Sequence, residues 1–238
     1  MSIPLRQTLK AAIAKRMHWR RQALNPANPL NQSGFIKTLR AWQTQRLGKS
    51  FTDVLSDAKM RPAAQFFLSD LYSDKDFSGR DRDIDRLMPV MVHILPDAML
   101  SAARDAIELH ALSQALDLRM SKAMERRGWT TLDEEKYGEI YREVGFPRLR
   151  RRQIDLVVKV GKSLDAAVNQ HGLHRILKLS RIPAMAAGLA ELQQFLERGF
   201  DAFAKLEGAS AFLTRVESGE KAISERLFKG VKNPFLLS

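Results

Sequence analysis

The chain has 238 residues, 45% of them apolar, with three Trp, three Tyr and no Cys; this is the length of one large domain or two small ones and the composition of a folded protein. The lack of cysteine excludes a disulfide framework, a thiol nucleophile and any metal centre built on thiolates. The formal charge is +12, and no apolar run approaches the ~20 residues of a membrane span.

Helical periodicity dominates the chain in order. Residues 1–21 read as a first helix with a stripe of Leu5, Leu9, Ile13 and Met17. Arg6, Arg16 and Arg20 fall inside the same arc, which argues against a membrane-surface helix, where apolar and charged residues segregate. Two prolines in residues 25–29 end this helix. Phe35, Leu39 and Trp42 carry helical spacing to a stop at Gly48, residues 51–57 read as a turn, and Pro62 opens a helix over 63–72. A long helix follows from 96 to 127, with Leu112, Leu116, Met120 and Met124 every four residues and Gly128 as its stop. Thr131, three residues before Glu134, has capping-box spacing for a helix closed near Gly145 and Pro147. Leu149, Leu156, Val160, Leu164 and Val168 mark the next, stopped at Gly172. Met185, Leu189, Leu192, Leu196 and Phe203 read as one core stripe after Pro183, and Gly208 divides it from a helix over 209–216 and a last short one over 220–228. No window alternates with period two. The expected fold is all-α: a single-domain bundle of about eight helices over residues 31–238, preceded by a basic helical arm, 1–30, semi-detached at the break.

Phe66-Phe67-Leu68-Ser69-Asp70-Leu71-Tyr72 offers a wide apolar face, since Phe67 and Leu71, and Leu68 and Tyr72, lie four apart. Phe66, Phe67, Leu71 and Tyr72 are therefore expected to form a core element. With Asp76, Phe77, Ser78, Arg80 and Asp81 after it, and with residues 108–118 and 152–164, this stretch resembles the signature of the bacterial FFLEELY-motif proteins. The motif reads FFLSDLY here, so Ser69 stands at the first carboxylate position and Asp70 at the second. The resemblance implies a helical bacterial protein and carries no activity, cofactor or catalytic residue.

Charge is the most asymmetric feature. Residues 1–50 hold ten basic side chains and no Asp or Glu, whereas the other 188 hold 29 basic and 27 acidic ones. Such a block seeks anions. One reading docks it in cis on the acidic segment 70–85; the other gives it an anionic partner, whether nucleic acid, nucleotide or acidic protein. Arg16, Arg20 and Arg21 are the candidate contacts, joined by the run Arg148, Arg151 and Arg152, where a phosphate could be gripped near a helix start. The competing reading of that run pairs Arg151 and Arg152 with Asp155 and leaves Arg150 in solvent.

A twelve-residue calcium-loop pattern over 74–85 would place Asp74, Asp76, Ser78 and Asp85 at ligand positions around Gly79. Its competitor is a helix-capping loop, because Lys75, Arg80 and Arg82 offset the acids and Asp85 is shorter than the usual Glu. Histidine spacing supports no metal site, and no nucleophile elbow or phosphate loop is present. The expectation is a cytoplasmic, non-enzymatic binding or regulatory protein that needs no cofactor; the organelle transit peptide is the other reading of its Arg-rich start, and no secretory leader is expected. The alternative is a helical bundle enclosing a small apolar ligand or a metal, with enzymatic activity. The apolar stripes permit a dimer.

Overall fold

The computed structural model describes residues 5–25, 27–28, 31–71, 78–94, 97–170 and 172–236. Twelve α-helices make a single all-α domain, with no strand among the described residues. They are α1 (Leu5–Leu24), α2 (Ile36–Ser50), α3 (Thr52–Ser56), α4 (Arg61–Phe66), α5 (Ser78–Ile94), α6 (Asp97–Arg126), α7 (Glu134–Val144), α8 (Pro147–Val168), α9 (Leu173–Leu179), α10 (Arg181–Ala186), α11 (Ala190–Ala204) and α12 (Ser210–Phe228).

The spine is α6, thirty residues and so about 45 Å long. Helices α1, α2, α7 and α8 pack along it. Three apolar clusters result. In the first, Leu9, Ile13 and Met17 of α1 meet Met88 of α5 and Leu100 and Ile107 of α6. In the second, Met120 and Met124 of α6 meet Leu39, Tyr137, Ile140, Ile223 and Leu227. The third joins α4, α8, α11 and α12 through Phe66, Phe67, Val157, Phe203, Phe212 and Leu213. The N-terminal segment, expected as a semi-detached arm, thus supplies one side of a core cluster.

More helices form than the sequence suggested, because several breaks fall elsewhere. Residues 52–56 form the short helix α3 where a turn was expected. The cap of α7 is Asp133, whose carboxylate accepts the Lys136 N–H at 2.8 Å, and not Thr131. The stripe read from Met185 to Phe203 is two helices: Gly188 takes φ +71° and turns the chain between α10 and α11. Conversely, residues 210–228 run as one helix through Gly219. That glycine serves packing, since a Cβ there would lie 2.8 Å from the Phe51 ring.

The aromatic motif behaves as a core element. The helix over it ends at Phe66 and passes into a π-helical turn, Phe67–Leu71. Phe66 and Phe67 are buried, with Phe66 5.5 Å from the Phe195 ring and Phe67 5.6 Å from the Phe212 ring. The side chain of Leu71, and Tyr72 as a whole, lie outside the described residues. Helix α11 approaches so closely that a Cβ on Gly199 would sit 2.8 Å from Phe66 Cζ. Two stability changes follow. Phe67→Ala is expected to cost about 3–5 kcal/mol, and Gly199→Ala about 1–3 kcal/mol through overpacking despite its better helix propensity; urea unfolding at neutral pH measures both.

Candidate anion-binding surface

The basic N-terminal fifth divides cleanly by residue type. Every arginine in residues 1–50 faces a carboxylate. Arg6 Nη1 lies 2.7 Å from Asp97, Arg16 Nε 2.5 Å from Glu108, Arg20 Nη1 2.8 Å from Asp85 and Arg40 Nε 3.2 Å from Asp117. Arg46 pairs with Glu220, and Arg21 shares Asp85 at 3.6 Å. By contrast Lys10, Lys15, Lys37 and Lys49 form no ion pair among the described residues. The planar guanidinium suits a fixed, partly desolvated pair, whereas a flexible ammonium keeps its hydration. Burial by itself pushes the Arg46 guanidinium down, and the Glu220 carboxylate more than reverses that.

The face of α1 turned away from α6 carries Lys15, His18 and the exposed Trp19, while Arg21 lies at its flank toward Asp85 and Lys10 is half-buried. The Lys15 ammonium sits 5.1 Å over the Trp19 ring. Of the three N-terminal candidate contacts, Arg16 and Arg20 therefore point inward and are held in the fold, and Arg21 remains at the surface. Arg20 is only 1% exposed.

The second basic run also splits. Arg152 Nε donates to Glu108 at 2.8 Å, so one carboxylate takes Arg16 on one oxygen and Arg152 on the other. The two basic segments thereby meet on α6. Asp155, the expected partner of Arg151 and Arg152, instead faces Lys221 at 3.3 Å. Arg148 and Arg151 are exposed and without an ion pair among the described residues.

Arg150, expected in solvent, is the buried member. It is 4% exposed, its Nη2 lies 2.8 Å from Met120 Sδ and its guanidinium 4.4 Å from the Tyr141 ring. Burial pushes the Tyr141 hydroxyl up to about 12, against the pull of Arg150. The sequence did mark Arg150 out from its neighbours. Its position, four residues before Ile154 on the buried face, was the available signal.

The calcium-loop pattern does not form a loop where it is described. Ser78 and Asp85 both lie on helix α5, and Asp85 is taken by Arg20 and Arg21. Asp74 and Asp76 lie outside the described residues, as does the side chain of Ser78. Among the described residues no group of three or more His, Asp or Glu side chains is placed to hold a metal ion. Asp70, at the other end of the acidic segment, is buried and receives Arg198 of α11 at 2.6 and 3.0 Å. Docking of the basic helix in cis thus uses Asp85 of that segment, and its other acids come from α6.

Two cavities are small or charged. One of about 150 Å³ lies between α8 and α12, and one of about 440 Å³ is lined by Arg82, Asp83, Arg86 and Glu191 near the α10–α11 turn. Neither is an apolar chamber.

What fold and surface define is an all-helical domain with a paired arginine interior and a lysine-bearing outer face. The chain belongs to the family described as Domain of unknown function (DUF8198), which matches residues 22–234. No curated protein and no solved structure matches it.

The Glu108 bridge yields a pH prediction. Burial alone would raise its carboxyl, but hydrogen bonds from Arg152 and Arg16 outweigh this and hold it below the usual range. Its contribution to stability is therefore complete above the unfolded value near ~4.3 and is lost as pH falls through the lowered folded value. Glu108→Gln should cost about 1–3 kcal/mol at pH 7. The difference in melting temperature from the wild type should shrink below about pH 4.3, as thermal denaturation from pH 7 to 3 will measure.

Proposed function

We propose that the protein is a non-enzymatic binding or regulatory protein whose partner is anionic and meets the outer face of α1. The observation that carries this reading is the division between arginines and lysines: the arginines of residues 1–50 each meet a carboxylate, while Lys10 and Lys15 form no ion pair among the described residues and Lys15 lies over an exposed Trp19, with no acid in the first fifty residues. A lysine over an exposed aromatic face suits a phosphate backbone with exposed bases, where charge supplies affinity and the ring a stacking platform. Arg148 and Arg151 extend the same chemistry at the start of α8. We also read the chain as a bacterial, cytoplasmic protein of the FFLEELY-motif type, on the sequence FFLSDLY at 66–72.

A single-stranded oligonucleotide at two salt concentrations tests the reading. Lys10→Glu, Lys15→Glu and Trp19→Ala together should weaken binding at least tenfold and flatten its salt dependence, with melting temperature little changed. Arg16→Glu with Arg20→Glu should instead lower the melting temperature. An oligonucleotide that stays unbound at low salt, or binds the triple variant equally, overturns the nucleic-acid form of the proposal.

A further inference from the structure

Helices α9 and α10 are unlike the rest of the molecule: neither buries a single residue. Ser180, in right-handed helical conformation, joins them. Within ten residues they expose Ile176 (63%), Leu179 (71%), Ile182 (79%) and Met185 (57%). Large apolar side chains this open and this close together mark a surface that is covered in use. The sequence offered Met185 as part of a core stripe, and the structure turns it outward.

Charge says what covers them. From residue 166 to residue 190 there is no Asp or Glu, while Arg175, Lys178 and Arg181 interleave with the apolar side chains. Arg181 is neutralised by Glu197 at 2.6 Å, and His174 lies 3.6 Å from Asp201. Arg175 and Lys178 are exposed and carry no ion pair among the described residues. A second copy of the chain would bring these like charges together across a two-fold axis. An anionic occupant would neutralise them.

Shape decides between a protein and a lipid surface. The four side chains project from two short helices that bury no residue, and neither of the two cavities described above includes them. A protein partner gains most from concave pockets that desolvate an anchor fully. A bilayer interface needs no complementary shape: apolar tips enter the acyl boundary while Arg and Lys stems lie along it with their heads at the phosphates. No helix among the described residues is long and apolar enough to cross a membrane, so contact would be made by lying on the surface.

We propose that α9 and α10 form an interfacial anchor that seats on an anionic lipid surface, with Ile176, Leu179, Ile182 and Met185 inserted and Arg175 and Lys178 at the headgroup phosphates. This surface is separate from the outer face of α1 and stands on its own observations.

Vesicle flotation of the full chain tests it, using phosphatidylcholine alone and phosphatidylcholine with 30% phosphatidylglycerol. The wild type should float with the mixed vesicles and at least tenfold less with the neutral ones. Leu179→Ser with Ile182→Ser should abolish flotation without lowering the melting temperature, both side chains being exposed. Arg175→Glu with Lys178→Glu should reduce it strongly. The proposal is overturned if the wild type ignores anionic vesicles or if the serine variant floats as well as the wild type. It is also overturned if sedimentation reveals a dimer that the serine variant loses while vesicles have no effect, which would make this face a contact between copies. Retention of oligonucleotide binding by the serine variant separates this outcome from the one concerning α1.

Discussion

Everything in this fold leans on the carboxylates of α6 and the arginines brought to them. A thirty-residue helix in a packed domain is stabilised chiefly by the face it buries, and α6 buries Leu100, Ile107, Leu116, Met120 and Met124 along its length. The same helix carries Asp97, Glu108 and Asp117 on its flanks, and Asp117 is only 8% exposed. Carboxylates taken that far from water need a cation with good geometry. Three flanking helices supply them: Arg6 and Arg16 from α1, Arg40 from α2 and Arg152 from α8. The pairs are not strong individually, since a half-exposed pair such as Arg6–Asp97 is worth little in water. Their effect lies in giving Asp97, Glu108 and Asp117 each a cation from the helix that packs beside it.

This arrangement explains why the sequence was legible in some respects and not in others. The all-α class and α6 itself were readable, because the four-residue repeat from Leu112 to Met124 is a strong periodic signal. The breaks were harder. Residues 209–216 and 220–228 read as two helices but run as one through Gly219, which makes room for Phe51, and the stripe from Met185 to Phe203 read as one helix but is turned at Gly188. A glycine reports a need for space or for positive φ, and sequence alone does not say which. The candidate surface was readable as charge and unreadable as geometry. Arg16, Arg20 and Arg21 lie within six residues, yet the α1 surface buries Arg20, turns Arg16 to Glu108 and leaves Arg21 out. Only the position of acids distant in sequence separates them.

The aromatic motif shows a similar coupling of charge and packing. Phe66 and Phe67 enter the core cluster shared by α4, α8, α11 and α12, which the spacing predicted. The π-helical turn that follows adds one residue to the local ring of hydrogen bonds, and within it Asp70 is buried against Arg198 while accepting the Ser69 hydroxyl at 2.6 Å. The second acid position of the motif thus ties the turn to α11. The Ser69 hydroxyl keeps a polar contact with that same carboxylate.

The direction and register of α1 follow from charge more than from apolar contact. Leu9, Ile13 and Met17 repeat every four residues, so sliding the helix by four along α6 would present nearly the same stripe to Leu100 and Ile107. The ion pairs lift that degeneracy. Arg6 meets Asp97 and Arg16 meets Glu108, ten residues apart on α1 and eleven on α6, which sets the two helices parallel with matched rises of about 15 Å. A slip of one turn, about 5.4 Å, would break both pairs and pull Arg20 from Asp85. Nearly all of α1 precedes the region matched to the family, residues 22–234, yet it closes the apolar cluster of α5 and α6. The arginines interleaved with its stripe, the feature that disqualifies it as a free membrane-seeking helix, are what fix it to one place on this domain and leave its lysines facing out.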